Sequence, residues 1–156
     1  MNRLLAVVER AISKVADPEL GGLGIGELGL VYSVRLDEQN DAEVVLLPTF
    51  LGCPALAFIA NDVQNAALRS GAASCRVIWA NAPAWSSVRI SATGRTHLAA
   101  LGIAVATADE PNPQCPSCGH DMLQSVNPVG ATACRSVAWC RHCRSVIDVL
   151  GTDRAA

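Results

Sequence analysis

The sequence predicts an α+β protein in two parts: a domain over residues 1–103 and, after a linker at 104–114, a small cysteine-rich domain over 115–156. Two observations support this prediction. Apolar residues recur with helical spacing in some early segments and form short strand-like runs in others. Five of the seven cysteines then fall between Cys115 and Cys143. Hydrophobic residues make up 51% of the 156 residues, which excludes a wholly disordered chain.

The first domain is predicted to run helix–β–β–helix–β–helix, with a mostly antiparallel sheet. Its first helix spans 3–16, where apolar residues recur every three or four positions. This helix ends at Asp17-Pro18, because the residue before a proline is pushed out of the helical region. Residues 19–29 contain five glycines and are predicted to form a loop.

The remaining elements follow from turn and cap signals. They are, in order, strands at 31–36 and 42–47, a helix that opens at Pro54, a strand at 75–79 and a helix at 92–101. The polar stretch at 37–41 is typical of a hairpin turn between the first two strands. Pro54 at the first helical position and Gly71 just past the last one fit the usual asymmetry of helix ends. Ser91 is placed to cap the final helix.

The cysteine-rich part is too short to fold on an apolar core alone. The stretch from Thr107 to Gln114 carries two prolines and two acids, as expected of a linker. Chains below about 40 residues usually need a metal or disulfides to fold. Because no export signal is visible, we expect a reducing, cytoplasmic location, where clustered cysteines bind metal more often than they form disulfides.

Two Cys-x-x-Cys pairs have a spacing close to that of a zinc ribbon. They are Cys115–Cys118 and Cys140–Cys143, and 21 residues separate Cys118 from Cys140. Four thiolates at about 2.3 Å form a closed tetrahedral site, which leaves no position open for a substrate. The predicted site is therefore structural, with zinc favoured over iron. Two redox-active thiol pairs, or thiols unrelated to one another, are the alternative interpretations.

Three neighbouring side chains are alternate ligands. Cys134 lies six residues before Cys140 and either replaces one ligand or remains a free thiol. His120 and His142 lie beside the pairs, and the ordinary interpretation of each is a surface residue.

Charge and motif content argue against several classes of function. The net charge of −2 and a pI near 5.9 argue against nucleic-acid binding. No apolar run approaches the roughly 20 residues that cross a bilayer. No Ser/His/Asp arrangement is apparent, and the glycine-rich loop lacks the lysine of a phosphate-binding loop. We therefore expect no membrane or nucleic-acid partner and no catalytic activity of the protein's own, while a homo-oligomer remains open.

Cys53 is the second candidate site. It directly precedes the helix that opens at Pro54, where the helix dipole and free backbone amides favour thiolate over thiol. A thiolate there binds a soft metal or a cluster iron, or attacks an electrophile; the alternative is a buried structural cysteine. Asp17 and Glu19 are also typical of solvated acids at a helix end, and Cys75 is expected in the core.

Several motifs resemble those of known families. The first domain carries Asp-Pro-Glu-Leu at 17–20, Glu-Leu-Gly-Leu-Val at 27–31, Thr49, and Gly-Cys-Pro at 52–54. Together they resemble the SufT/MIP-type domain, a family linked to the maturation of iron–sulfur proteins. The resemblance narrows to the PaaD family, the accessory D components of phenylacetyl-CoA epoxidase systems, on four further features. These are Pro48-Thr49 followed by Gly-Cys-Pro-Ala at 52–55, Pro83-Ala84-Trp85, Leu-Gly-Ile at 101–103 and, in the ribbon, Gly-Ala-Thr-Ala-Cys-Arg at 130–135.

The resemblance implies an accessory role beside an enzyme in aerobic phenylacetate catabolism. The partners would be the oxygenase and reductase subunits of a phenylacetyl-CoA epoxidase-like complex, whose iron–sulfur or di-iron centres it would help to assemble. Cys53 would be the transient iron or cluster ligand, and Asp17, Glu19 and Thr49 would shape that site or hydrogen-bond to it. The zinc ribbon would be a docking element. A structural or coupling subunit of the oxygenase complex is the alternative, followed by a thiol enzyme using Cys53 or Cys134 and by a regulator that binds nucleic acid.

The chain departs from the family pattern at a few positions. Glu27 stands where the family has aspartate, and Val129 replaces an aromatic residue before Gly130. An acidic-Pro-Phe segment is also missing after the second cysteine pair. If those aromatic residues contact a partner, the partner surface of this chain differs.

Overall fold

The computed structural model describes residues 3–151, and contacts between Cα atoms divide the chain into two compact units, one up to Trp85 and one from Ser86 onward. The predicted domain limits at residues 1 and 156 lie outside the described residues. The elements, in chain order, are α1 (Arg3–Ser13), β1 (Val31–Leu36), β2 (Asp41–Leu46), α2 (Leu56–Arg69), β3 (Ser74–Trp79), α3 (Ala92–Ala100), β4 (Ile103–Val105), β5 (Leu123–Asn127), β6 (Arg135–Cys140) and β7 (Val146–Leu150). None of the helices within residues 3–151 is long and apolar enough to cross a membrane.

The first unit is built on a three-stranded sheet in the order β1-β2-β3. β1 and β2 form the predicted antiparallel hairpin, in whose turn the Asp37 carboxylate accepts hydrogen bonds from the backbone N–H groups of Gln39 and Asp41. β2 and β3 are parallel, because α2 lies between them in sequence and carries the chain back to the starting edge of the sheet. α2 packs against both β3 and α1.

The glycine-rich segment between α1 and β1 contributes apolar side chains to the core. Its apolar side chains, each at most 4% exposed, are Leu20, Leu23, Ile25, Leu28 and Leu30. Two of its glycines approach the end of α1 closely. A Cβ on Gly24 would lie 2.8 Å from the carbonyl oxygen of Ser13, and a Cβ on Gly26 would lie 2.6 Å from the Ser13 Cβ. Glycine is therefore required for this segment to lie against the helix.

The second unit contains a four-stranded sheet in the order β4-β7-β6-β5. β6 is antiparallel to both β5 and β7, whereas the short β4 is parallel to β7. One apolar cluster of this unit includes two cysteines. The buried members are Ala104, Ala106, Cys115, Ala138, Cys140, Ile147 and Val149.

The predicted α+β class is confirmed, and over the two sheets antiparallel pairs outnumber parallel pairs by three to two. Within the first sheet the pairing is even, because the α2 crossover makes β2 and β3 parallel. The helix expected to open at Pro54 begins at Leu56, and the helix expected over 3–16 ends at Ser13.

The division of the chain differs from the predicted limits at 103, 104–114 and 115. Helix α3 and strand β4 group with the cysteine-rich part. Residues 103–105, at the end of the predicted first domain and the start of the predicted linker, form β4. Ile103 and Ala104 are buried there, and burial of these apolar side chains stabilises the stretch as a strand of the sheet.

Candidate functional site

Four sulfur atoms meet at one point in the second unit. The Sγ atoms of Cys115, Cys118, Cys140 and Cys143 all lie within 4.8 Å of one another. Two of the distances between them, Cys115–Cys143 and Cys118–Cys140, are 3.7 Å. Sulfurs at about 2.3 Å from a tetrahedral ion would be about 3.8 Å apart, so these two distances fit a tetrahedral metal site.

The two cysteine pairs have the same backbone geometry. The N–H of Gly119 donates to the carbonyl of Cys115, and the N–H of Arg144 donates to the carbonyl of Cys140, both at 2.8 Å. Gly119 and Arg144 each adopt a positive φ, 73° and 63°. This turn aims both sulfurs of a pair to one side, and it explains the glycine that follows the first pair.

The pKa values of two of these thiols, Cys143 and Cys118, are shifted in opposite directions. Hydrogen bonds from the side chain and then the backbone of Ser145 lower the pKa of Cys143 to about 6, against the effect of its burial. A backbone hydrogen bond from His120 lowers the pKa of Cys118, but burial and hydrogen bonds to the neighbouring thiols outweigh it and raise that pKa to about 12. A metal ion must therefore displace protons to bind here.

The alternate ligands lie outside the four-sulfur cluster. The Cys134 Sγ is 3.1 Å from the Thr132 hydroxyl, which also accepts a hydrogen bond from Arg135. The rings of His120 and His142 stack on each other with centroids 3.6 Å apart. Within the described residues, the sulfurs of the four predicted cysteines lie together. Cys134 contacts Thr132 instead, and the two histidines contact each other.

Cys53 lies in the loop between β2 and α2, against the glycine-rich segment. Its half-buried thiol donates a long hydrogen bond, 3.9 Å, to the Glu19 Oε2 atom. The backbone N–H of Glu19 in turn donates to the carboxylate of Asp17 at 2.8 Å. Asp17 is 6% exposed, and its backbone bonds to Gly22 and Leu23 close the turn that carries Glu19. Three of the four residues predicted for this site are therefore linked in one chain of contacts.

The electrostatic setting of Cys53 differs from the predicted one. The first residue of α2 is Leu56 and its N-cap is Ala55, so Cys53 lies two residues ahead of the cap. The effect of the helix dipole fades beyond the first turn. The charged group beside the sulfur is instead the Glu19 carboxylate, 3.9 Å away.

Thr49, the fourth predicted residue, lines a cavity of about 290 Å³ on the same loop. The other residues lining it are Pro48, Phe50, Leu51, Asn81, Ala84 and Trp85. Trp85 donates its indole N–H to the carbonyl oxygen of Leu28 at 2.9 Å. The Pro-Ala-Trp motif was visible in the sequence, but nothing in its spacing indicated a contact with the glycine-rich segment.

Exposed apolar side chains surround Cys53 in sequence. Phe50, Leu51 and Phe58 are 39%, 66% and 69% exposed. Phe50 and Phe58 are both of the chain's phenylalanines, and neither is used in the core. The ring of Phe50 lies over Gly52, the residue before Cys53, where a Cβ would be 2.8 Å from the ring.

Cys75, the other cysteine of the first unit, has an ordinary setting. It lies half-buried in β3, and burial raises its pKa. It is therefore a natural control for experiments on Cys53.

Comparisons with known proteins match both parts of the chain. Residues 5–78 match the family described as iron–sulfur cluster assembly protein, and residues 103–151 match the PaaD zinc β-ribbon domain. A protein of Escherichia coli (strain K12), named as the D component of a "Putative 1,2-phenylacetyl-CoA epoxidase", is 27% identical over 88% of this chain and 86% of its own length.

Two further relatives match the first unit. The "Fe-S protein maturation auxiliary factor YitW" of Bacillus subtilis (strain 168) is 41% identical over 36% of this chain, and the match spans 54% of that protein. The crystal structure of a DUF59 domain from Bacillus anthracis is 32% identical, covers 61% of this chain and 91% of that one, and has a TM-score of 0.56.

The fold and the two cysteine sites thus define a class: an iron–sulfur cluster assembly domain joined to a metal-binding ribbon. Within that class, residues 103–151 match the PaaD zinc β-ribbon domain, and the chain is similar over most of its length to the Escherichia coli D component.

Proposed function

We propose that this protein is a non-catalytic accessory protein of a phenylacetyl-CoA epoxidase-type oxygenase, and that it assists the assembly of iron–sulfur or di-iron centres in its partners. The contact between the Cys53 thiol and the Glu19 carboxylate is the observation that carries the proposal. It lies within the part of the chain that matches the iron–sulfur assembly family. The name of the Escherichia coli relative supports the oxygenase as the recipient system.

A thiol beside a carboxylate is suited to holding iron briefly. Iron in clusters takes thiolate ligands, and Glu19 is placed to take up the proton that Cys53 loses when iron arrives. One thiolate and one carboxylate are fewer ligands than the four thiolates that retain a resident cluster. Iron bound here would therefore pass to a partner that offers a complete ligand set.

Asp17 and Thr49 have supporting roles in this proposal. Asp17 fixes the backbone of Glu19, so that the carboxylate of Glu19 stays near the sulfur. Thr49 lines the cavity on the same loop, and its role would be to hydrogen-bond to an incoming group.

We propose zinc as the metal of the ribbon. Four cysteine sulfurs at tetrahedral spacing leave no open position, which is the pattern of structural zinc sites. A bound ion would hold the two cysteine pairs together and so stabilise a surface for docking.

The exposed apolar residues near Cys53 favour a protein as the binding partner over a small molecule. Phe50, Leu51 and Phe58 would contact the oxygenase or reductase subunit when iron is passed on. The proposal places this exchange in the cytoplasm, where clustered thiols stay reduced and free to bind metal.

The test is to produce the oxygenase and reductase subunits with and without this chain and to measure the iron content and epoxidation rate of each. Both quantities should fall without it and recover when it is added back. Full iron content with poor complex assembly or turnover would instead support the structural or coupling role.

A further inference from the structure

The indole of Trp85 lies between the two loops that form the Cys53 site. One of these loops is the glycine-rich segment that carries Glu19, and the other, residues 48–53, carries Cys53. Trp85 is half-buried and belongs to the segment that follows β3.

On the first side, Trp85 holds a buried carbonyl. Its N–H donates to the oxygen of Leu28, a residue with no solvent exposure. The N–H of Leu28 donates to Gly24 in the same segment, which is closed onto Asp17 by the hydrogen bond from Asp17 to Leu23. Through these backbone hydrogen bonds, the carbonyl that Trp85 contacts is connected to the turn that carries Glu19.

On the second side, Trp85 faces the loop of Cys53. It lines the cavity of about 290 Å³ together with Thr49, Phe50 and Leu51. Phe50 lies over Gly52, and its carbonyl accepts the N–H of Cys53 at 3.2 Å. A shift of the indole would therefore change the positions of both Cys53 and Glu19.

We infer that Trp85 is a positioning residue, which holds the glycine-rich segment and the loop of Cys53 in register and so fixes Cys53 against Glu19. Its biological purpose rests on the proposed function, but the positioning itself can be tested without iron or a partner. Trp79, which is half-buried in β3, supplies a matched tryptophan control.

The experiment measures the alkylation rate of Cys53 between pH 6 and 9 in the metal-loaded full chain, by mass spectrometry of the Cys53 peptide. Trp85→Phe keeps the ring and removes the N–H. It should raise the rate for Cys53 by about two- to tenfold, the effect expected when one hydrogen bond is lost. The rate for Cys75 should not change, and Trp79→Phe should leave both rates unchanged. A selective effect on Cys53 separates positioning from general loosening of the fold.

An unchanged Cys53 profile in a folded Trp85→Phe protein overturns the inference, as does an equal rise for Cys53 and Cys75. If that variant does not fold, the indole N–H resonances of the unaltered chain and of Cys53→Ser are compared by NMR. The Trp85 resonance should shift and that of Trp79 should not; no shift at Trp85 overturns the inference. Failure of the proposed function would look different, because Cys53→Ser would then leave the iron content of the partners unchanged.

Discussion

At the scale of single residues, the proposed function depends on two side chains that are 34 positions apart in sequence. Cys53 and Glu19 meet because the glycine-rich segment folds back onto the loop after β2. Their pairing was predicted only through the family resemblance. Spacing alone left Glu19 as a solvated acid and Cys53 as a thiol at a helix terminus, because local sequence does not reveal which loops meet.

Removing the charge of Glu19 should change both the reactivity and the function of Cys53. In Glu19→Gln the carboxylate no longer opposes the thiolate, so alkylation of Cys53 at pH 7 should rise about two- to tenfold. Delivery of iron should fall, because the proton acceptor and second ligand are lost. Rates come from peptide mass spectrometry and delivery from the iron content of co-produced partners.

Glu38→Gln is the control for this prediction, since Glu38 is exposed in the turn between β1 and β2. It should match the unaltered protein in both measurements. Equal alkylation rates in the Glu19 and Glu38 variants would mean that Glu19 does not set the chemistry of Cys53.

At the scale of elements, sequence patterns predicted three helices and the first three strands but not all of their ends or pairings. The parallel pairing of β2 and β3 depends on the path of α2, which periodicity does not report. β4 was missed because three residues, Ile103–Val105, are too few to show a period. α1 ends at Ser13, and the glycine-rich segment packs closely against that residue.

Gly26→Ala should destabilise the first unit through that close approach. The new methyl would lie 2.6 Å from the Ser13 Cβ and 3.0 Å from its Cα, so the segment must move. The expected loss is about 1–3 kcal/mol in the free energy of unfolding, measured by denaturant titration.

A double-mutant cycle controls for other effects of this substitution. Ser13→Gly removes the Cβ that the methyl would meet, so adding Gly26→Ala to Ser13→Gly should cost much less than Gly26→Ala alone. Strictly additive costs would show that the contact with Ser13 is not the cause.

At the scale of the whole molecule, the two units are stabilised in different ways. The first has an apolar core built from helices, strands and the glycine-rich segment. The second contains an apolar cluster in which two of the buried residues, Cys115 and Cys140, belong to the four-sulfur site. That cluster was predictable from the spacing of the cysteines, because each Cys-x-x-Cys turn is formed by residues that are close together in sequence.

Loss of one sulfur should therefore unfold the ribbon and release its metal. Cys115→Ser should abolish bound metal, measured by elemental analysis, since metal binding supplies the folding energy of such a site. Cys134→Ser is the matched control; it should keep one equivalent of zinc. Metal retained in Cys115→Ser, or lost in Cys134→Ser, would contradict the assignment of the four ligands.

Transfer of iron from Cys53 to a partner is tested most directly by one measurement. The oxygenase and reductase subunits are co-produced with the unaltered chain, with Cys53→Ser or with Cys75→Ser, and the iron bound per partner subunit is determined. Iron content should fall with Cys53→Ser to the level seen without the chain, while Cys75→Ser should match the unaltered protein. Full iron content with a folded Cys53→Ser protein would contradict a role for Cys53 in iron transfer.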